Sequence, residues 1–324
     1  MDFTELVVAG QKQHEGVVFP LVLDAQPQPQ DLVEVLLHIQ AQSKTLQERL
    51  QTHGAILFRG LPIVSDIDFD KFVTAFDLPN FTYSESLSNA VRRNRTERVF
   101  TANEAPADVS IFLHHEMAQT PIFPSKLFFF CELAASSGGA TPLCRSDRLL
   151  ELLTERDPDF VAQCEAKGVR YTNTMPHSDD AGSGQGRSWR STLSAQTAAD
   201  AEARLTQLKY QWQWLPDQSL TVTSPVLPAV KELPSGQKVF FNQLIAAFRG
   251  WTDRHNAMNK TIMFGDGTEI SGSAMAVAIE LSDQLSFDVP WQAGDVALVD
   301  NYLVMHGRRP FQGERRVLAS LIAA

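Results

Sequence analysis

The stretch from position 291 to position 322 reads WQAGDVALVDNYLVMHGRRPFQGERRVLASLI, and it carries the pattern of two β-strands. Residues 296–299 and 316–322 are short apolar runs, and turns that contain Gly and Pro separate them. Between the two runs, residues 302–305 lead to His306, which stands directly ahead of a Gly/Arg/Pro turn. The segment therefore predicts strands joined by tight connections, with His306 at the end of a further predicted strand between these two.

Strands of the same kind recur along the chain, and amphipathic helices lie between them. Further strands are predicted at 55–58, 98–101, 126–131, 169–171, 220–223 and 238–241, and helices at 31–52, 65–76, 146–156, 157–168, 198–210 and 271–284. The last two of these strands flank a turn at 234–236 and so predict a hairpin region. Scattered short strands with inserted helices favour a mainly β fold, a central antiparallel sandwich or jelly roll, over a parallel βαβ sheet.

The chain of 324 residues contains no fixed-period repeat and no Pro/Ser-rich linker that divides it. We therefore expect a single domain over residues 1–324, with an N-terminal helical portion of about residues 1–53 packed on the jelly-roll core. In that portion the apolar residues of 31–52 recur close to a 3.6-residue period, and Gly54 follows as a stop.

The charge balance argues against anionic partners. Lys and Arg total 28 against 38 Asp and Glu, a formal net charge of −10, so nucleic acids and anionic membranes would meet a repulsive average field. The three cysteines form no CxxC pair, which favours a reducing compartment over a disulfide framework. With no signal-peptide pattern and no apolar run of about 18 residues, the sequence predicts a cytoplasmic protein whose oligomeric state stays open.

The sequence FLHHEM at 112–117 is a candidate metal-binding motif. In an extended backbone residues i and i+2 point to one side, which places His114 and Glu116 together and His115 opposite, where a core role is expected. A mononuclear non-haem iron(II) site needs two imidazoles and one carboxylate, and His306 is a candidate for the remaining ligand. An HxE tripeptide alone is weak evidence, because a surface pair or a hydrogen-bonded core histidine would also explain it.

Arg315 and Arg316 follow His306 by nine and ten residues. An arginine at the end of an apolar strand in an acidic protein suggests a fixed partner for a carboxylate, since a guanidinium binds carboxylates through two parallel hydrogen bonds. The alternative is that the arginine pair forms a solvated edge of the sheet.

Three segments together resemble the taurine dioxygenase (TauD/TfdA) superfamily of Fe(II)/2-oxoglutarate oxygenases. They are HGAILFRGLP at 53–62, HHEMAQTPIFPSKLFFFCELAASSGGATPLCRSD at 114–147, and the C-terminal stretch quoted above. The resemblance is greatest to the clavaminate synthase-like branch, in which the carboxylate ligand is Glu. It implies a double-stranded β-helix, which is a distorted jelly roll, and it implies Fe(II), 2-oxoglutarate as co-substrate, and O2.

The same resemblance implies roles for particular residues. His114, Glu116 and His306 match the family's iron ligands. Because Glu116 supplies a carboxylate, the site has no vacancy for a halide, and halogenation is disfavoured. Thr141 matches the threonine of the family's GGxT segment, which hydrogen-bonds a carboxylate of 2-oxoglutarate.

The family's C-terminal arginine, which holds the C5 carboxylate of 2-oxoglutarate, falls on Arg316. Relatives often carry a second arginine four residues further on, where this chain has Ser320. Either Arg315 compensates for that difference or Ser320 donates a weaker hydrogen bond. The choice between Arg315 and Arg316 therefore stays open.

The activity implied is hydroxylation, desaturation or cyclisation of a small polar substrate, with release of succinate and CO2. The resemblance makes an amino acid or an amino-acid-derived carboxylate the leading candidate. Asn103, Arg190 and Asn242 are candidate substrate contacts, and the polar stretches 84–94 and 177–186 are candidate lids. Each has a structural alternative, namely asparagines in turns, a surface arginine, and simple connections.

Two other classes of protein stay open. A zinc hydrolase also uses His and Glu ligands, although the helix-borne HExxH motif is absent from this sequence. A non-catalytic jelly-roll protein could keep the same His/Glu cluster to bind a metal or ligand without turnover.

Overall fold

The computed structural model describes residues 1–82, 86–88, 90, 92–102, 105–179, 186–250 and 262–324. The predicted substrate contact Asn103 lies outside these residues, as do parts of the candidate lids 84–94 and 177–186. No helix among the described residues is both long enough and apolar enough to cross a membrane.

Strands and helices alternate irregularly along the described residues. The strands are β1 (Asp2–Glu5), β2 (Lys12–His14), β3 (Val17–Phe19), β4 (Leu21–Gln26), β5 (Ala55–Arg59), β6 (Phe100–Thr101), β7 (Ile111–His114), β8 (Lys126–Leu133), β9 (Ser137–Gly138), β10 (Thr141–Arg145), β11 (Val169–Met175), β12 (Gln211–Trp214), β13 (Leu220–Thr223), β14 (Lys231–Glu232), β15 (Lys238–Val239), β16 (Ile262–Phe264), β17 (Phe287–Val289), β18 (Val296–Asp300), β19 (Val304–Arg308), β20 (Phe311–Gln312) and β21 (Arg316–Ile322). The helices are α1 (Leu32–His53), α2 (Asp66–Thr74), α3 (Ser146–Arg156), α4 (Pro158–Lys167), α5 (Trp189–Leu193), α6 (Ala198–Gln207), α7 (Leu244–Gly250) and α8 (Gly272–Leu285).

Two of the sheets share one buried core. The larger sheet has the order β1-β4-β5-β18-β8-β21-β6, and the smaller has the order β17-β10-β19-β7. Leu57, Phe129 and Ala319 enter a single apolar cluster from the larger sheet, and Leu143 and Val304 enter it from the smaller one. Sheets that face each other across a common core form the predicted sandwich or jelly roll.

Helices α1 and α2 cover the other face of the larger sheet. In α1 the Asp31 side chain accepts a hydrogen bond from the first turn, and Gly54 ends the helix at a φ of 75°. The buried stripe of α1, which includes Val35, packs with Phe58 and Phe130 of the sheet. Full burial of each such side chain contributes about 1.5–3 kcal/mol, so the amphipathic pattern predicted at 31–52 also decides where the helix lies.

The N-terminal portion of about residues 1–53 contains the predicted helix, but it also contains strands that the sequence analysis did not predict. Four strands, β1 to β4, precede α1, and β1 and β4 belong to the larger sheet. β4 pairs with β5 in parallel, with Leu21 opposite Ile56 and Leu23 opposite Phe58. The prediction missed these strands because runs of three to six residues contain too little periodicity to classify.

A third sheet, β12-β13-β11-β16, pairs strands that the sequence did not place together. β13 pairs with β11 and β12, whereas the predicted hairpin joined residues 220–223 to 238–241. The turn at 234–236 instead joins β14 to β15. A hairpin therefore forms at the predicted turn, but its first strand is β14 and not residues 220–223, because β14 is only two residues long and too short for a sequence pattern to reveal.

Candidate metal centre and adjoining cavity

Two histidines and one glutamate meet where β7 pairs with β19. The register of the pair places His306 opposite His114, and Glu116 follows β7 by two residues in a turn. His306 Nε2 lies 3.4 Å from Glu116 Oε2, and the ring centroids of the two histidines are 4.4 Å apart. One ligand atom from each residue lies within 4.8 Å of the others. Strand pairing thus gathers residues 192 positions apart into one cluster.

His115 points away from this cluster, as predicted. Its ring is fully buried, its Nδ1 bonds to the carbonyl oxygen of Asn301, and its centroid lies 4.7 Å from the Phe241 ring. Burial lowers the pKa of His115 to about 3. The imidazole is therefore neutral near neutral pH and serves as a packed, hydrogen-bonded core group behind the site.

His114 is arranged to bind a metal through Nε2. Its Nδ1 lies 2.8 Å from the carbonyl oxygen of Phe112, which assigns the ring proton to Nδ1 and leaves the Nε2 lone pair available. Burial, and then the neighbouring His306 ring, lowers the pKa of His114 to about 4. Metal-binding histidines commonly donate their second ring nitrogen to a carbonyl in this way, which fixes the ring orientation.

Arg92 is a member of the site that the sequence did not reveal. Its Nη2 donates to Glu116 Oε1 at 2.9 Å, and the two side chains are only 7% and 4% exposed. Burial alone would raise the pKa of the Glu116 carboxyl, but Arg92 and then His306 and His114 bring it below its usual range. Glu116 is therefore ionised. The polar run 84–98 contains four arginines, and nothing in their spacing distinguishes Arg92 from the others.

The Asn301 side chain holds the backbone of Glu116. Its Oδ1 accepts from the Glu116 N–H at 2.8 Å, and its Nδ2 donates to the carbonyl oxygens of Glu116 and Pro124 at 3.0 and 2.7 Å. Asn301 is fully buried in the turn between β18 and β19. The turn that leads to His306 therefore also fixes the turn that carries Glu116, a role that the sequence did not signal.

The donor set fits iron(II). Two imidazoles and one carboxylate form the ligand set typical of non-haem iron sites, in which the other coordination positions remain open to co-substrate and dioxygen. A structural zinc site would instead be closed by a fourth protein ligand. Within the described part of the chain, no fourth His, Cys, Asp or Glu joins His114, Glu116 and His306, and no second cluster of this kind is present.

The structure separates the two candidate arginines. Arg315 Nε donates to the carbonyl oxygen of Gly139 at 2.8 Å, and Arg315 Nη2 lies 3.4 Å from Thr141 Oγ1. Arg316 is exposed and pairs with Glu132 at 2.8 Å. Of the two arginines between which the choice was left open, Arg315 lies beside the threonine and Arg316 points away from it, because successive residues of an extended chain point to opposite sides.

Ser320 also points away from this site. Val317 and Ala319 belong to the core between the two sheets, whereas Leu318 and Ile322 belong to the cluster under α1 and α2. Ser320 lies two residues from both Leu318 and Ile322 and therefore points to the same face of the strand as they do. Its hydroxyl does not face the core shared by the two sheets. The suggestion that Ser320 replaces the second arginine of relatives is wrong for this reason.

Arg315 is a largely buried cation that has no carboxylate partner among the residues of the described ranges. Burial, and then the nearby Arg308, lowers its pKa to about 10, so the guanidinium stays charged near neutral pH. Trp291 Nε1 donates to Thr141 Oγ1 at 3.0 Å, which leaves the threonine hydroxyl free to donate its own proton. A guanidinium without a counter-ion beside a hydroxyl donor suits the carboxylate of a small acid.

A cavity of about 310 Å³ adjoins the metal cluster. His114 and Glu116 form part of its wall, and side chains of β11, β13, α5 and α6 form another part. Cavities of this size usually hold small organic molecules. A molecule bound in this cavity would therefore lie beside His114 and Glu116.

Two of the predicted substrate contacts are not part of the cavity wall. The Arg190 guanidinium stacks on Trp189 at 4.1 Å from the ring centroid. Asn242 is 1% exposed, and its Oδ1 accepts from the Leu244 N–H at the start of α7. Both side chains therefore have structural partners, and Gln243 rather than Asn242 lines the cavity.

Comparison with protein families and curated proteins matches nearly the whole chain. The model of the family described as "Taurine catabolism dioxygenase TauD, TfdA family" matches residues 18–321. A clavaminate synthase-like protein of Arabidopsis thaliana is 38% identical over 323 residues, which are 98% of this chain and 97% of that protein. The dapdiamide synthesis protein DdaC of Enterobacter agglomerans is 30% identical over 293 residues, 86% of this chain and 84% of its own length.

Solved structures show the same architecture. The crystal structure of PvcB from Pseudomonas aeruginosa aligns with 97% of this chain and 90% of its own, at a TM-score of 0.56 and 14% sequence identity. At this identity the likeness concerns the fold. The prediction of a mainly β fold with inserted helices, arranged as a double-stranded β-helix, is confirmed.

Proposed function

Because this chain belongs to the TauD, TfdA family and is a 2-oxoglutarate-dependent iron dioxygenase, we propose that it oxidises a small amino-acid-derived carboxylate. The reaction is hydroxylation, desaturation or cyclisation, and it releases succinate and CO2. Its cofactor is Fe(II), and 2-oxoglutarate and O2 are its co-substrates.

The observation that carries this proposal is that a cavity of molecular size has two of the three candidate ligands in its wall. His114 and Glu116 both line the cavity of about 310 Å³. A substrate bound there has a carbon next to the metal cluster, which is the proximity that oxidation of an unactivated C–H bond requires. The names of two relatives, which refer to clavaminate and dapdiamide synthesis, support a substrate related to amino acids.

In this proposal His114, Glu116 and His306 hold the iron. The bound iron, with 2-oxoglutarate, supplies the oxidation of the substrate by dioxygen, and 2-oxoglutarate is converted to succinate and CO2. Arg315 and Thr141 bind and orient the distal carboxylate of 2-oxoglutarate.

Other residues keep the ligands in place and in the right protonation state. Arg92 keeps Glu116 ionised, and Asn301 fixes the Glu116 backbone. Phe129 packs 5.2 Å from the His306 ring and helps to exclude water from that side.

We also propose that residues 1–324 act as one domain. The core between the two main sheets draws on residues from both ends of the chain, from Phe19 to Leu321. Since both ends of the chain contribute to this one core, truncation at either end is expected to destabilise the whole core.

The test of this function is anaerobic reconstitution with Fe(II) and 2-oxoglutarate, followed by addition of oxygen and a panel of amino acids and their derivatives. The wild-type protein should develop the weak visible absorption of the iron–2-oxoglutarate chelate, and a true substrate should stimulate succinate formation. Glu116→Ala and His306→Ala should lose the absorption band, because each removes a ligand.

His38→Ala is the matched control for these variants. His38 lies on α1, where its ring packs against Phe3, remote in the fold from the β7–β19 pair. It should keep the full band. An unchanged band in both ligand variants would exclude this metal site, and a panel without any stimulated succinate formation would contradict the proposed substrate class.

A further inference from the structure

The cavity wall that β11, β13, α5 and α6 contribute is largely apolar. Met175, Leu193, Leu205 and Val222 line the cavity from these elements or their immediate ends, and all four belong to one buried cluster. Apolar side chains cannot replace the water that a charged group loses on entering the cavity. This wall therefore disfavours the charged parts of any ligand.

Uncharged polar side chains line the same cavity. Tyr171, Asn173 and Met175 alternate along β11 and all face the cavity, so Asn173 places its amide among apolar neighbours. Thr192 is 3% exposed, and its Oγ1 is buried without a hydrogen-bond partner among the described residues, as is Oε1 of Gln119. A buried polar atom without a partner destabilises the protein, so these atoms are best explained as partners of a bound molecule.

In the described part of the cavity wall, charged side chains occur only among the candidate metal ligands and directly beside them. They are Glu116 and Arg92, which pair with each other at 2.9 Å. A substrate carboxylate or ammonium group packed against Met175 and Val222 would therefore find no free counter-ion among the described residues of the wall. A carboxamide or an apolar group meets no such penalty there.

We propose that Gln119, Asn173, Met175, Thr192 and Val222 form a neutral subsite, which binds an uncharged carboxamide or apolar group of the substrate and rejects acidic and basic groups. The substrate class is then an amino-acid derivative with a neutral side chain. This inference deepens the proposed function and depends on it for the reaction, while the selectivity of the subsite can be measured by binding alone.

The test uses four N-acetylated amino acids that share a backbone and have side chains of similar length: glutamine, methionine, glutamate and ornithine. Their dissociation constants are measured by isothermal titration without oxygen, on the protein loaded with Fe(II) and 2-oxoglutarate. The glutamine and methionine derivatives should bind at least about tenfold more tightly than the glutamate and ornithine derivatives, because only the charged side chains lose hydration without gaining a counter-ion.

Variants of the subsite should change this selectivity in defined directions. Asn173→Asp places a carboxylate in the wall and should improve binding of the ornithine derivative, relative to the glutamate derivative, by about tenfold or more. Thr192→Val should weaken binding of the glutamine derivative and leave that of the methionine derivative unchanged. Thr172→Val is the matched control, because Thr172 lies on the opposite face of β11 and bonds to Thr223 at 2.8 Å.

Three results would overturn the neutral subsite. They are equal or tighter binding of the glutamate or ornithine derivative, no binding of either neutral derivative up to about 10 mM, and an unchanged charge preference in Asn173→Asp. Selective binding of neutral derivatives without stimulated succinate formation would instead contradict the proposed function and leave the subsite intact. Stimulation by all four derivatives alike, with equal affinities, would contradict the subsite and leave the function intact.

Discussion

Arg92 Nη2 lies 2.9 Å from Glu116 Oε1, and both side chains are more than nine-tenths buried. The Arg92 guanidinium thus lies against the Glu116 carboxylate. The same carboxylate also faces His306, the second residue with which it could bind a metal. The Phe100 ring centroid lies 5.2 Å from the guanidinium carbon of Arg92, which helps to hold the arginine there. Arg92 therefore compensates the charge of Glu116 before any metal binds.

Arg92→Gln should destabilise the metal-free protein by about 3–5 kcal/mol, because removing one partner of a buried ion pair leaves an uncompensated charge. The loss should be smaller in the metal-loaded protein, since the metal itself then compensates Glu116. Urea unfolding followed by circular dichroism, with and without metal, measures both values. Arg95→Gln is the control, because its contact with Asp66 is partly exposed and contributes at most about 1 kcal/mol. Equal losses in the two states would contradict the compensating role.

Asn301→Leu should weaken metal binding by about 10- to 100-fold, which is the usual effect of removing a group that orients a metal ligand. Asn301→Asp keeps an acceptor for the Glu116 N–H but loses the donor to Glu116 and Pro124. It should therefore also bind metal weakly. Anaerobic titration with Fe(II) measures the affinities. If both variants bind as tightly as wild type, Asn301 does not position Glu116.

Arg315→Gln should raise the apparent dissociation constant for 2-oxoglutarate by about 10- to 100-fold, because a hydrogen bond to a charged group contributes about 1.5–3 kcal/mol. Arg316→Gln is the matched control and should change that constant by less than about twofold, since Arg316 pairs with Glu132 on an exposed surface. Titration of the visible band with 2-oxoglutarate measures both. A larger effect at Arg316 than at Arg315 would reverse the assignment.

Gly54→Ala should destabilise the fold by about 1–3 kcal/mol through two causes. Gly54 has a φ of +75°, and a Cβ atom there would lie 2.8 Å from Val304 Cγ2 and 2.9 Å from Arg145 Cδ. The first cause is the positive φ and the second is the steric contact. Gly10→Ala separates them, because Gly10 has a φ of +84° but no atom within 4 Å of an added Cβ. Thermal unfolding should show the larger loss at Gly54, and equal losses would exclude the steric contribution.

The sequence by itself determined the local elements and the types of the candidate ligands. In α1 the capping residue Asp31, the apolar period and the stop at Gly54 follow one another along the chain, so neighbouring residues suffice to predict the helix. The same holds for α2, in which the capping residue Ser65 directly precedes the helix. The HxE motif and the downstream His306 suggested a candidate metal-binding set, because the chemistry of iron restricts the donors, and the resemblance to the family assigned its three members.

Only the tertiary structure decided how these residues are oriented and what supports them. Asn301 reaches Glu116 across 185 positions, and Arg92 reaches it from a polar stretch with no distinguishing pattern. The choice of Arg315 over Arg316 depends on the face of the sheet to which each side chain points at the start of β21. A change of one residue in the strand register would exchange the two side chains. Such contacts depend on strand register and long-range packing, which local patterns along the sequence do not specify.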